Sequence, residues 1–254
     1  MPQLLRQKWA MNRPALNLFL TIPGSWTAEL MAHTGFDCLT LDLQHGLISA
    51  DNALAMLQAI STTPTVPLVR LPWNEPSVIM KMLDAGAAGL ICPMIDTAEE
   101  AARFARACRY PPEGIRSFGP IRASLLTEGD YFQQANRKVL AFAMIETASS
   151  LNMLEAIAAT PGLDGLFVGP FDLSVSLGLK RLADIHDPAL AEALKNVLAA
   201  CRRHQLVPAI YTTSIANAAE LAAMGFRLIS IGDDTAILAE GAQKKLAELK
   251  KGIP

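Results

Sequence analysis

The chain has 254 residues, 51% of them hydrophobic, which suits one large domain with a sizeable core. Its net charge of −2 and pI near 6.1, with no basic run and no acidic tail, exclude a nucleic-acid surface, so an anionic ligand must be met by a few placed arginines. No apolar stretch approaches the roughly 18 residues of a membrane span. Residues 1–6 lack the apolar core of a secretory signal, and Cys38, Cys92, Cys108 and Cys201 form no CxxC pair, so a cytoplasmic protein with reduced thiols is expected.

Short apolar runs alternate with helical patterns along the whole chain. The spacing predicts strands at residues 15–22, 36–43, 65–71, 88–95, 139–146, 163–169, 207–213 and 226–232. Helical periodicity covers residues 50–61, 97–109, 188–204 and 214–224, and Thr97 with Glu100 reads as a capping box. Strands that alternate with helices imply a parallel sheet, because parallel neighbours need a crossover. No strand leads into a GxGxxG turn, and polar residues gather at the C-terminal ends of several strands. Both favour a closed (β/α)8 barrel over an open doubly wound sheet. No linker interrupts residues 1–254, so one barrel domain is expected. Residues 110–136, rich in proline and glycine, form a long connection that starts on the face opposite a barrel's catalytic mouth.

Asp42, Gln44 and His45 stand at the end of the second strand, and Gly46 permits a sharp exit. Arg70 lies near the end of the third strand, where a charged side chain needs an anion or hydrogen-bonding partner. Its planar fork suits a carboxylate or an enolate oxygen; a structural salt bridge across the barrel is the simpler alternative. Glu146 ends the fifth strand and Asp172 follows the sixth. Two close carboxylates repel unless a proton or cation lies between them. A hard divalent ion that keeps several waters fits that need, although an acid–base pair, or a helix cap at Asp172, would use the same residues. Met80, Met82, Met94 and Met144 read most simply as core fill. None of the strand candidates holds a lysine, which counts against Schiff-base chemistry.

Six segments together resemble the HpcH/HpaI aldolase family, and most closely its macrophomate-synthase-like branch: LDLQHG at 41–46, VRLP at 69–72, LDAGA at 83–87, RYPPEGIR at 109–116, MIET at 144–147 and GPFDL at 169–173. The resemblance runs from the first strand to the eighth. It implies a (β/α)8 TIM barrel of the phosphoenolpyruvate/pyruvate type, with the last helix exchanged between subunits of a hexamer, a trimer of dimers. It implies Mg²⁺, Mn²⁺ or Co²⁺ held by Glu146 and Asp172, and a small 2-oxo acid bound near Arg70, Met144, Pro170, Phe171 and Asp172. Arg70 would hold the 2-oxo oxygen, and His45, with Asp42 beside it and Asp84 as its partner, would act as the base. The implied reaction is cleavage or formation of 4-hydroxy-2-oxo acids to give pyruvate and an aldehyde. Oxaloacetate decarboxylation and macrophomate-synthase-like bond formation are the related alternatives; a non-catalytic 2-oxo-acid sensor is the alternative of another kind.

The sequence departs from the better-known aldolases twice. Met144 stands where they carry glutamine, and Arg116 is followed by Ser117 rather than glycine. Asp84 also raises a geometric objection. It lies near the end of the helix after the third strand, at the barrel's far face, so any pairing with His45 has to reach a neighbouring subunit.

Overall fold

Each apolar run becomes a strand; seven are shortened by one to four residues at their ends, and the eighth starts two residues later and runs one residue further, to Asp233. The computed structural model describes residues 2–253. The strands are β1 (Ala15–Leu20), β2 (Cys38–Asp42), β3 (Val66–Arg70), β4 (Gly89–Cys92), β5 (Leu140–Ile145), β6 (Gly165–Val168), β7 (Val207–Thr212) and β8 (Leu228–Asp233). All neighbouring pairs are parallel, and β8 returns to β1, closing the barrel in chain order. Closure leaves no free edge strand.

The helices are α1 (Pro2–Ala10), α2 (Ser25–Ala32), α3 (Ala50–Ile60), α4 (Pro76–Asp84), α5 (Ala98–Ala107), α6 (Tyr131–Lys138), α7 (Ala148–Asn152), α8 (Leu154–Ala158), α9 (Pro170–Ser176), α10 (Pro188–His204), α11 (Ile215–Met224) and α12 (Asp234–Gly252). Local chemistry sets several starts. The Thr97–Glu100 capping box opens α5 as expected, and the Asp187 carboxylate accepts from the amides of Ala189 and Leu190 to open α10. Arg202, Arg203 and His204 end α10, where positive charge complements the helix dipole.

Two apolar layers hold the molecule. One lies between strands and helices and includes Leu18, Leu39, Met56, Leu90, Phe104 and Leu194. The other fills the barrel with Phe19, Leu68, Leu140, Phe142, Met144 and Phe167. Burying each such side chain contributes about 1.5–3 kcal/mol. A small polar belt crosses the interior: Asn17 Nδ2 donates to Ser230 Oγ (2.8 Å) and Thr40 Oγ1 donates to Asn17 Oδ1 (3.1 Å). All three residues are fully buried and satisfied. The sequence patterns gave no sign of α1. It closes the barrel floor, with Leu5 buried and Trp9 edge-on to Phe142. The four cysteines are buried free thiols, and no helix among the described residues is long and apolar enough to cross a membrane.

Two segments depart from simple barrel packing. Residues 110–136 remain beneath α4: Arg122 donates from its amide to the Asp84 carbonyl and from Nη1 to the Ala85 carbonyl. Beyond its first turn, α12 stands away from the barrel. Leu238, Leu246 and Leu249 are more than half exposed, and the buried residue of this helix is Asp234. A 19-residue helix is roughly 28 Å long, so this is a large uncovered face.

Candidate active site

The C-terminal ends of the strands surround a cavity of about 340 Å³. Its lining includes Asp42, His45, Arg70, Met144, Pro170, Phe171 and Asp172. A larger depression of about 620 Å³ lies beside α1. There Lys8 is already paired with Asp37, whereas barrel sites form at the strands' C-terminal ends, so the mouth is the better candidate.

On the β2–β3 side the charges are paired. Asp42 and Arg70 are register partners on adjacent strands. Arg70 donates from Nε to Asp42 Oδ1 (2.8 Å) and from Nη2 to Oδ2 (2.6 Å). Its guanidinium carbon lies 4.9 Å from the centre of the Phe19 ring. The structural salt bridge read from the sequence is therefore present, made to the neighbouring strand and not across the barrel. One edge of the fork is fixed by Asp42, and among the described residues Nη1 has no hydrogen-bonding partner. Such clamping lowers the entropy that Arg70 loses when it binds an anion.

Asp42 also shapes the turn. Its Oδ1 accepts from the amides of Gln44 (3.1 Å) and His45 (3.3 Å). Gly46 is needed there, since a Cβ would sit 2.4 Å from the Asp42 carbonyl oxygen. His45 is thereby left exposed at the rim, with no hydrogen bond to its ring among the described residues. Gln44 does not extend the strand; β2 ends at Asp42 and Gln44 lies outside the cavity lining.

The β5–β6 side is different. Glu146 is buried, and its Oε1 accepts from the Met94 amide (2.7 Å). Among the described residues its Oε2 is buried without a partner. Burial, followed by the nearby charge of Asp172, pushes the Glu146 carboxyl up to about 7, against the Met94 hydrogen bond and Arg70. A Cβ at Gly169 would lie 2.6 Å from Glu146 Oε2, so this glycine keeps the space beside that oxygen open. Asp172 is no helix cap: it sits in the first turn of α9, after the N-cap Gly169, and bonds no amide there.

Among the described residues, no cluster of three or more His, Cys, Asp or Glu is placed to hold a metal. Two carboxylates, one with an orphaned oxygen, nevertheless fit a hard cation that fills its other positions with water and substrate oxygens.

The model of the family described as HpcH/HpaI aldolase/citrate lyase matches residues 16–240. The chain belongs to that family. A hydroxypyruvate/pyruvate aldolase of Rhizorhabdus wittichii is 37% identical over 97% of this chain and 98% of its own. A 4-hydroxy-2-oxo-heptane-1,7-dioate aldolase of Salmonella dublin is 37% identical over 91% of this chain and 89% of its own. The crystal structure of a family protein from Burkholderia cenocepacia J2315 superposes with a TM-score of 0.90 at 34% identity, covering 98% of this chain and all of that one. Like these relatives, this member of the family is an aldolase, a carbon–carbon lyase.

The mouth brings together Asp42, His45, Arg70, Met144, Pro170, Phe171 and Asp172, but not Gln44, Glu146 or Asp84. Glu146 lies just behind Gly169. Asp84, at the end of α4, pairs with Arg116 (2.7 Å), whose buried guanidinium stacks on Tyr110 and Tyr131. Asp84 therefore has its own partner within the chain, away from the mouth.

By residue type Met94 and Met144 read as core fill, although the resemblance placed Met144 beside the 2-oxo acid; both touch this site. The Met94 amide holds Glu146 from a backbone with φ of 53°, a conformation unusual outside glycine, and Met144 lines the cavity. Thr21, Tyr211, Thr213 and Asp233 also line the mouth and were missed. The only signal was their place at the ends of the first, seventh and eighth strands.

Proposed function

We propose that this aldolase is metal-dependent (class II) and cleaves 4-hydroxy-2-oxo acids reversibly to pyruvate and an aldehyde. The observation that carries this reading is the pairing of an anchored Arg70 with the unpartnered Glu146 Oε2, around one cavity whose lining contains no lysine. Glu146 and Asp172 would hold Mg²⁺, Mn²⁺ or Co²⁺, which supplies Lewis-acid polarisation of a 2-oxo group.

The chain's own residues do the rest. Met144, Pro170 and Phe171 form the wall against which the 2-oxo acid lies. His45 takes the proton from the 4-hydroxyl; the C3–C4 bond breaks, the aldehyde leaves and its electron pair remains as pyruvate enolate. Arg70, through its open Nη1 edge, lies where that negative charge develops, and Asp42 keeps it there. Protonation at C3 then yields pyruvate.

The reading includes a homo-oligomer, a hexamer built as a trimer of dimers, in which α12 packs on a neighbouring barrel. The uncovered Leu238, Leu246 and Leu249 support it. So does His45, whose ring is unpartnered at one end of the barrel while the partly exposed Asp84 lies at the other. In this arrangement Asp84 reaches His45 of the partner subunit, held in place by Arg116.

The test is pyruvate release from a panel of 4-hydroxy-2-oxo acids, with and without divalent ion. Metal-dependent release supports the reading. No release from any member, or full activity after exhaustive chelation with substrate trapping by borohydride, overturns it.

A further inference from the structure

The mouth has one more charged group, on the β7–β8 arc, that the reaction above does not use. Asp233 ends β8 and lines the cavity with Tyr211, Thr21 and Thr213. One oxygen, Oδ1, accepts from the Ala236 amide (2.9 Å) and so caps α12. The other, Oδ2, accepts from the Tyr211 hydroxyl at a long 3.4 Å. An ionised carboxylate offers about four acceptor positions, so these two bonds leave Asp233 with capacity towards the cavity. No lysine or arginine pairs with it: Arg70 is the one such residue among the described lining residues, and its fork is bonded to Asp42.

Tyr211 is fixed for the same purpose. Phe19 meets its ring edge-on at 5.4 Å, and Phe171 packs on it at 6.1 Å. Burial, reinforced by Asp233, pushes its hydroxyl up to about 12. It stays protonated, donating to Asp233 while its lone pairs remain free for another donor. This arc therefore presents an unneutralised carboxylate and a phenol between two aromatic rings, three strands around the barrel from Glu146.

We propose that Asp233 and Tyr211 form the acceptor-aldehyde subsite and select a neutral, hydroxyl-bearing aldehyde over one that ends in a carboxylate. The proposal rests on the pyruvate-aldolase reading and names its second substrate. Hydroxyl groups donate to Asp233 Oδ2 and to the Tyr211 oxygen, while Phe171 and Phe19 cover the carbon chain. A terminal carboxylate would meet Asp233 as a like charge in a partly enclosed cavity, where screening is weak. Relatives named for 4-hydroxy-2-oxo-heptane-1,7-dioate carry in that name a substrate with a carboxylate at each end. The preference of this chain is therefore opposite to the one that name describes.

The test compares kcat/KM for pyruvate addition to glyceraldehyde and to succinic semialdehyde, in the wild type, Asp233→Asn and Asp233→Ser. Serine keeps the ability to cap α12. The wild type should favour glyceraldehyde by at least about tenfold, and both variants should move the ratio towards succinic semialdehyde by on the order of tenfold. A third variant, Tyr211→Phe, should lower kcat/KM for glyceraldehyde more than for acetaldehyde, which lacks the additional hydroxyls. A wild type that favours the acidic aldehyde overturns the proposal, as does a ratio unchanged in both soluble Asp233 variants. Exchange of the pyruvate methyl protons by the wild type, measured without any aldehyde, separates the two levels. Exchange with an unaltered ratio rejects this subsite alone, and no exchange rejects the aldolase reading beneath it.

Discussion

Two arcs of the same mouth are built on opposite electrostatic plans. On β2–β3, Asp42 and Arg70 neutralise each other through two short hydrogen bonds and are further held by Phe19 and the turn amides. On β5–β6, Glu146 and Asp172 are like charges, and Glu146 keeps one buried oxygen unpaired. The first arc is finished by folding. In the proposed reading a cation completes the second. On that reading the tasks are separate: the paired side would supply a rigid positive edge that needs no reorganisation, and the unpaired side would supply affinity for the ion.

Breaking the open arc should have the largest effect on turnover. Chelation should abolish pyruvate formation, and Mg²⁺, Mn²⁺ or Co²⁺ should restore it. Glu146→Gln and Asp172→Asn should each lower kcat by on the order of 10³-fold, the equivalent of several kcal/mol of lost charge stabilisation. Calorimetric titration with Mn²⁺ should show weaker binding in both variants. Wild-type Mn²⁺ affinity in either one would detach the carboxylates from the ion.

Breaking the closed arc should instead show in stability. Asp42→Ala leaves a mostly buried guanidinium unpaired, so unfolding in urea should show a loss of about 3–5 kcal/mol. A loss under 1 kcal/mol would mean that Arg70 is solvated and not clamped. His45 is the exception on this arc, since its ring has no partner among the described residues. Mixed oligomers of His45→Ala and Asp84→Ala subunits, reassembled and verified by mass, should regain part of the activity that each lacks alone. Verified heteromers without recovery would confine Asp84 to its contact with Arg116.

The smallest effect is the pH dependence of the metal-free protein. The Glu146 carboxyl is raised from 4.5 to about 7, so folding favours its protonated form. That contribution is fully present below about pH 4.5 and is lost as pH rises through about 7. The melting temperature of chelated wild type should therefore fall, relative to Glu146→Gln, across this window, and added Mn²⁺ should reverse the fall. Parallel pH profiles would place Glu146 in contact with water.

Much of this was legible in the sequence. The eight strands announced themselves because a parallel barrel buries both faces of each strand, leaving near-continuous apolar runs. Asp42, Arg70, Glu146 and Asp172 stood out as charges at the ends of such runs. Other features had no comparable signature. Met94 acts through a backbone amide, whose aim depends on a φ angle and not on residue type. Tyr211 and Asp233 lie on the paired strands β7 and β8, and they meet Phe19 of β1 only because the barrel closes. The α1 plug is polar enough, apart from Leu5 and Trp9, to read as a tail.

The central claim is that an ion site and a preorganised Arg70 together stabilise a pyruvate enolate. Exchange of the pyruvate methyl protons into deuterium oxide, followed by NMR with no aldehyde present, tests it most directly. The wild type with Mn²⁺ should exchange rapidly. Chelation should stop the exchange, and Arg70→Lys, which keeps the charge but loses the fork, should slow it by on the order of 10²–10³-fold. Exchange that persists at the full rate after chelation, or in Arg70→Lys with Mn²⁺ present, would contradict the account.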